Sequence, residues 1–260
     1  MYEELLNKRI LVTGSSSGIG AGIARSFAKY NAKLILHYNN NYNGVIETKN
    51  EVCRLGSKAE IIQCDFRKEE LAGDFFEEAV GYFDGVDILI NNAGVVTKKN
   101  ILDTDIEVWK ETLSINLNFP FILSKLFASR LIKKGEVGTI LHISSIHGVQ
   151  TRENLCAYAS SKAALNTLTK IQSIEWAEHK IRVNAIAPGI VEVERNKDVL
   201  EEDKDLWLPK ILLKRYGTTN EIGELAVYLS SNLAAWITGQ VFTIDGGTTA
   251  RGNYFQATQS

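Results

Sequence analysis

Residues 9–20, RILVTGSSSGIG, join a run of aliphatic residues to three closely spaced glycines without a break. Ile10, Leu11 and Val12 read as a strand buried on both faces, since branched aliphatic side chains suit a pleated, covered surface. Glycines at 14, 18 and 20 let the chain turn tightly, approach an anion and start a helix close against the strand. That helix, expected over residues 19–30, presents unpaired amides and a partial positive charge to a phosphate. Ser15, Ser16 and Ser17 add hydroxyl groups at the same end. A glycine-rich turn is common in itself, and its weight comes from what surrounds it.

Outward from this turn, six more short apolar runs follow, at 33–38, 59–63, 87–91, 139–143, 182–186 and 241–244. Amphipathic segments long enough for right-handed crossover helices separate them. The pattern predicts an α/β, doubly wound Rossmann-type fold: a seven-stranded parallel sheet flanked by helices on both faces, in one domain over 1–260. Two stretches interrupt it. Residues 190–216 are charged and lack a strand, and read as a substrate lid. The tail after Gly247 has no periodicity and reads as frayed or docked on a neighbour.

Composition narrows the class. The 260 residues are 45% hydrophobic and 23% charged, with net charge −2 and a pI of about 6.1. Such a balance offers no footprint for nucleic acid or an anionic membrane. Three cysteines without a CxxC pair argue for reduced thiols in the cytoplasm and against a metal site. The N-terminal stretch lacks a signal peptide's apolar core, and no run approaches the roughly 20 apolar residues of a membrane helix.

Further motifs refine the site. At the end of the second strand, an acid selects NAD and an arginine favours NADP. Here Tyr38, Asn39 and Asn40 supply neither, which leans toward NADP and leaves NAD open. Asp65, beside Phe66, either accepts from an adenine amine or caps the next helix. INNAG, 90–94, places small and amide residues at a strand end. In AYASSKAAL, 157–165, Tyr158 and Lys162 lie four apart on one helical face.

TGSSSGIG, NNAG and YxxxK in this order, with RVNAIAPG at 182–189, resemble the compact single-domain branch of the short-chain dehydrogenase/reductase family over essentially the whole chain. The resemblance implies a catalytic tetrad of Ser145, Tyr158, Lys162 and Asn116. It also implies cofactor contacts at Thr13, Gly14, Ser16, Ser17, Gly18, Ile19, Gly20, Tyr38, Asn39, Asp65, Phe66, Asn91, Ala93, Gly94, Tyr158, Lys162, Pro188, Gly189 and Val191. Val193 departs from the family's frequent threonine and cannot bond a carboxamide, which leaves that bond to backbone near Ile190 and Val191. Pairing of the helical segments at 112–133 and 157–179 into dimers or a homotetramer is implied as well.

The chemistry explains the residue types. Hydride exchange at an alcohol carbon needs a partner for the hydroxyl proton, and tyrosine at pKa about 10 is a poor base. A lysine one turn away is expected to favour the phenolate. Ser145 then holds the substrate oxygen, and Asn116 anchors a water leading from Lys162 to solvent. The reaction expected is interconversion of a secondary alcohol and a ketone or lactone.

For the substrate, Ser145, His147, Arg152 and Tyr158 are the expected contacts. Gln150, Asn154 and the lid's Glu192, Glu194 and Arg195 add polarity that suits a sugar or polyol. Serines 144 and 145 with His147, and FQA in the tail, are similar to bacterial glucose 1-dehydrogenases, whereas VVTKK at 95–99 lacks their acidic residue. A 3-oxoacyl-carrier-protein reductase, with Arg130, Lys133 and Lys134 facing the carrier, is the enzymatic alternative. A cofactor-sensing or scaffolding homologue without turnover is the non-enzymatic one.

Overall fold

A computed structural model describes residues 2–250. The seven strands are β1 (Arg9–Val12), β2 (Lys33–Tyr38), β3 (Lys58–Gln63), β4 (Ile88–Asn91), β5 (Gly138–Ile143), β6 (Ile181–Pro188) and β7 (Val241–Ile244). All pair in parallel, in the order β3-β2-β1-β4-β5-β6-β7. The doubly wound sheet expected from the sequence is therefore present, and its order reverses between β1 and β4.

Alternation along β1 divides the core. Ile10 and Val12 face a layer formed with α1 (Gly18–Ala28) and, from the far end of the chain, Ile222 and Val227. Leu11 faces the opposite layer, where Phe75, Phe76, Phe119 and Phe127 are buried. Each such aromatic contributes roughly 2–3 kcal/mol by leaving water. The remaining helices are α2 (Tyr42–Arg54), α3 (Ala72–Phe83), α4 (Ile106–Leu113), α5 (Phe119–Lys134), α6 (Cys156–Trp176), α7 (Lys197–Glu202), α8 (Lys204–Trp207) and α9 (Thr219–Ser230).

Two boundaries differ from expectation. The apolar segment at 112–133 is not one helix: a π-helical turn, Ser114–Asn118, separates α4 from α5. Such a turn inserts an extra residue and re-aims the side chains within it. β6 runs on to Pro188. Residues 190–216 lack a strand, as expected, and carry the short helices α7 and α8; Tyr216 Oη donates to Leu200 O at 2.8 Å to tie the segment together. Of the tail, Asp245 caps the turn at Gly247 and Thr249, while the FQA stretch lies outside the described residues. Among the described residues no helix is long and apolar enough to cross a membrane.

Candidate active site

Where β1 and β4 diverge, the carboxyl ends of the strands open into a cleft of about 410 Å³. It runs from Asn39, Asn40 and Asn41 past the glycine turn to Tyr158 and Lys162. A larger hollow of about 630 Å³ lies at the opposite edge, between Asp87, Gly138, Ile181 and Trp236. It holds neither the glycine turn nor the Tyr158–Lys162 pair, so chemistry rather than size marks the site.

The glycine end is a cradle that side chains would fill. Gly14 has φ +64°, and a Cβ there would lie 2.8 Å from Ala93 Cα. A Cβ on Gly20 would collide with the Gly14 carbonyl oxygen. Val193 arches over Gly18, 3.4 Å from where its Cβ would be. Ser17 precedes α1 without a side-chain cap, so the first amides of the helix stay available to an anion. Ser16, Ser17, Gly18, Ile19 and Gly20 all line the cleft, together with Asn39, Phe66, Ala93 and Gly94. Among the described residues the cleft wall carries two cations, Lys162 and Arg195, and no carboxylate. A pyrophosphate-bridged dinucleotide fits such a cradle in shape and in charge.

Several expected contacts face elsewhere. The Asn91 carboxamide points into the core, donating to Ser124 Oγ at 3.1 Å and meeting His142 Nδ1 at 3.2 Å. Its neighbour Asn92 takes the cleft position instead, donating to Thr13 O at 2.8 Å and Gly14 O at 3.0 Å. Sequence reading missed Asn92 because two adjacent asparagines end the strand and alternation sends only one of them outward. Thr13 is a brace rather than a cleft contact: its Oγ1 accepts from the amides of Asn92 and Ala93, each at 2.9 Å. Tyr38 is buried in the core, its ring 5.8 Å from that of Tyr42. Asp65 does not cap α3; it lies between the cleft-lining Cys64 and Phe66, and Arg67 grips its carboxylate, which stays below its usual range through that bond. Pro188, Gly189 and Val191 are absent from the cleft wall, which Val193 and Arg195 complete from the same segment. Gly189 packs against Asp245 instead.

At the other end, α6 places Tyr158 and Lys162 on one face, with the ammonium 5.9 Å from the phenol ring. Lys162 Nζ donates to Ile143 O at 2.8 Å, and burial pulls its pKa down to about 8. The Tyr158 phenol is pushed above its ordinary value by burial, partly offset by a hydrogen bond with Ser145 and by the charge of Arg195. Burial thus outweighs the charges around the phenol, where the expectation was a net lowering. The hydrogen bond to Ile143 O leaves the Lys162 charge in place, 5.9 Å from the phenol ring.

Asn116 sits in the π-helical turn, fully buried. Its Oδ1 accepts from Val95 N at 2.9 Å, and its Nδ2 donates to Val95 O at 3.0 Å and Ser161 Oγ at 3.1 Å. Both amide hydrogens are thus taken by protein groups, and the side chain clamps the cleft floor. Gly94 lies between: a Cβ there would be 3.2 Å from Asn116 Oδ1 and 3.6 Å from Lys162 Nζ. Ser144 lines the cleft, while Ser145 is buried and accepts from His147 N at 3.1 Å. His147 meets the Tyr158 ring edge-on at 6.4 Å. Arg152 turns away, its guanidinium 5.6 Å over the Trp207 ring of α8.

The sequence matches a family profile described as enoyl-(acyl carrier protein) reductase over residues 14–249. With this fold and these motifs, the chain belongs to the short-chain dehydrogenase/reductase family. It is an NAD(P)-dependent oxidoreductase acting on CH–OH groups. Glucose 1-dehydrogenase 2 of Bacillus subtilis (strain 168) is 32% identical over 96% of this chain and 97% of the relative. A 3-oxoacyl-[acyl-carrier-protein] reductase of Aquifex aeolicus (strain VF5) is 33% identical over 95% of this chain and 99% of its own. A candidate 2-deoxy-D-gluconate 3-dehydrogenase from Agrobacterium tumefaciens, solved with NADP bound, superposes with a TM-score of 0.86. Its sequence is 30% identical, and the match covers 95% of this chain and 98% of that one.

Proposed function

We propose that this enzyme interconverts a secondary alcohol and a ketone or lactone on a sugar or polyol, with NADP preferred over NAD. One observation carries the reading: a phenol and an ammonium share the inner end of a cleft whose outer end is a glycine cradle for pyrophosphate. Ser16, Ser17, Gly18, Ile19 and Gly20 would hold the dinucleotide's phosphates, and Gly94 and Lys162 would floor its reacting end. When bound, the nicotinamide supplies the hydride acceptor or donor. Tyr158 Oη exchanges the proton with the substrate oxygen, Ser145 orients that oxygen, and the charge of Arg195 steadies the phenolate. Asn116 holds the floor level by fixing Val95. Residues 190–216 act as the lid.

The absence of a carboxylate among the described cleft-lining residues, Asn39–Asn41 included, supports tolerance of a 2′-phosphate, as does the NADP-bound relative. The sugar reading draws on the likeness to glucose 1-dehydrogenase 2 and on the polar His147 and Arg195 around the phenol. The alternative, a carrier-protein reductase, has the Aquifex relative in its favour. Lys133 and Lys134, however, end α5 just before β5 begins, a helix length of about 24 Å from its cleft-side start. That placement weighs against their meeting a carrier at the cleft. Exposed Phe121, Ile171 and Ile174 on α5 and α6 support pairing of copies through these helices; the reading places the enzyme in the cytoplasm as a homotetramer. A spectrophotometric panel of sugars, polyols and 3-oxoacyl thioesters with NADH, NADPH and their oxidised forms tests the reading. Turnover of polyols with NADP is expected; turnover of thioesters alone would replace the reading with the alternative. Turnover unaffected by both Tyr158→Phe and Lys162→Ala would remove the proton-transfer roles.

A further inference from the structure

We propose that His37 is a positioning residue for dinucleotide binding, its imidazole pinning the first peptide of the phosphate cradle to the end of β3. The inference rests on the cofactor reading above. His37 is 2% exposed, near the end of β2. Its Nδ1 accepts from Gly14 N at 3.0 Å, and its Nε2 lies 2.9 Å from Cys64 O. Gly14 can only donate and Cys64 O can only accept, so the ring is neutral with its proton on Nε2. The His37 carbonyl takes two further bonds from the cradle, from Ser15 N at 2.9 Å and Ser15 Oγ at 3.1 Å.

Ring orientation is locked as well. The imidazole stacks on Phe66 at 4.1 Å with 3° between planes, and Phe66 stacks on Phe119 at 3.7 Å. Phe75 closes the group edge-on to all three, 5.3 Å from the imidazole. A residue wanted only for packing in this aromatic group would need no nitrogen. What the nitrogen adds is an acceptor for Gly14 N–H, at a residue whose φ of +64° turns the cradle toward the anion. Binding of phosphate then meets a peptide already held in place, which lowers the ordering cost of association. Burial, which depresses the imidazole to about 4, keeps this acceptor available throughout the neutral range.

The two nitrogens can be separated by substitution. His37→Asn keeps an acceptor near Nδ1, His37→Gln keeps a donor near Nε2, and His37→Phe keeps only the stack. Titration calorimetry with ADP-ribose, which needs no turnover, reads the cradle directly. We expect His37→Asn to bind within about threefold of wild type, and His37→Gln and His37→Phe to bind roughly tenfold more weakly. The kcat at saturating cofactor should change by less than about twofold in all three. Equal weakening in His37→Asn and His37→Gln, wild-type binding in His37→Phe, or a kcat that falls with affinity would each overturn the proposal. Should His37→Gln fail to fold, the comparison of Asn with Phe still decides. Failure of wild type to bind ADP-ribose would sink the cofactor reading itself; binding that ignores the substitutions would sink only the role of His37.

Discussion

At the phosphate end of the cleft the work falls to backbone: Gly14, Gly18 and Gly20 shape the turn, and Thr13, His37 and Asn92 hold its peptides in place. At the other end it falls to side chains whose ionisation burial has displaced, the phenol of Tyr158 upward and the ammonium of Lys162 downward. The first end recognises a constant chemical group, and steric shape suffices. The second must move a proton, so it needs titratable side chains held where the substrate oxygen will sit. Damage to one end should therefore appear in binding, and damage to the other in turnover.

The largest separation is expected from Tyr158→Phe, which should lower kcat roughly 10²–10⁴-fold. Its dinucleotide Kd, followed by cofactor fluorescence, should stay within about threefold of wild type. A parallel loss of both would erase the distinction between the ends.

Acid should strain both ends, through a histidine beneath each. His37 and His142 are buried and held near 4 by desolvation. His142 lies under the reacting end, 2.9 Å from Gln172 Oε1. In the unfolded chain both titrate near 6.5, so between pH 6.5 and 4 the unfolded state binds more protons and stability falls as pH falls. Each depressed histidine accounts for up to about 3 kcal/mol over that window, since one pKa unit is about 1.4 kcal/mol. Denaturant melts at stepped pH should show the loss, and His37→Phe should make it shallower. A flat profile would place solvent at these rings.

Gly20→Val drives a side chain into the Gly14 carbonyl and Asn92. Overpacking of this kind costs about 1–3 kcal/mol, and ADP-ribose affinity should drop by one to two orders of magnitude. Turnover per bound site should survive, which single-turnover measurement can read. The smallest change is expected from Asn39→Asp, which should shift kcat/KM toward NAD by roughly tenfold through repulsion of a 2′-phosphate. An unchanged ratio would assign cofactor choice to Ser16 or Asn41 instead.

Much of this was legible in the chain. Aliphatic runs alternating with amphipathic segments predicted the seven parallel strands. The glycine turn located the cradle, and the four-residue spacing located Tyr158 and Lys162. Less legible was which polar neighbour reaches the cleft: Asn92 rather than Asn91, Ser144 along the wall with Ser145 toward the phenol, and Asp65 captured by Arg67. His37 carried no signal, since a single polar residue in a buried strand names no partner.

Periodicity and spacing along the chain were enough for the sheet, the glycine cradle and the pairing on α6. These rest on steric and helical geometry acting over a few residues. Only the packed structure decided the protonation balance of the phenol, the clamp made by Asn116 and the grip of His37 on Gly14. Desolvation and hydrogen-bond partnership depend on which distant segments meet, and no local pattern encodes that meeting.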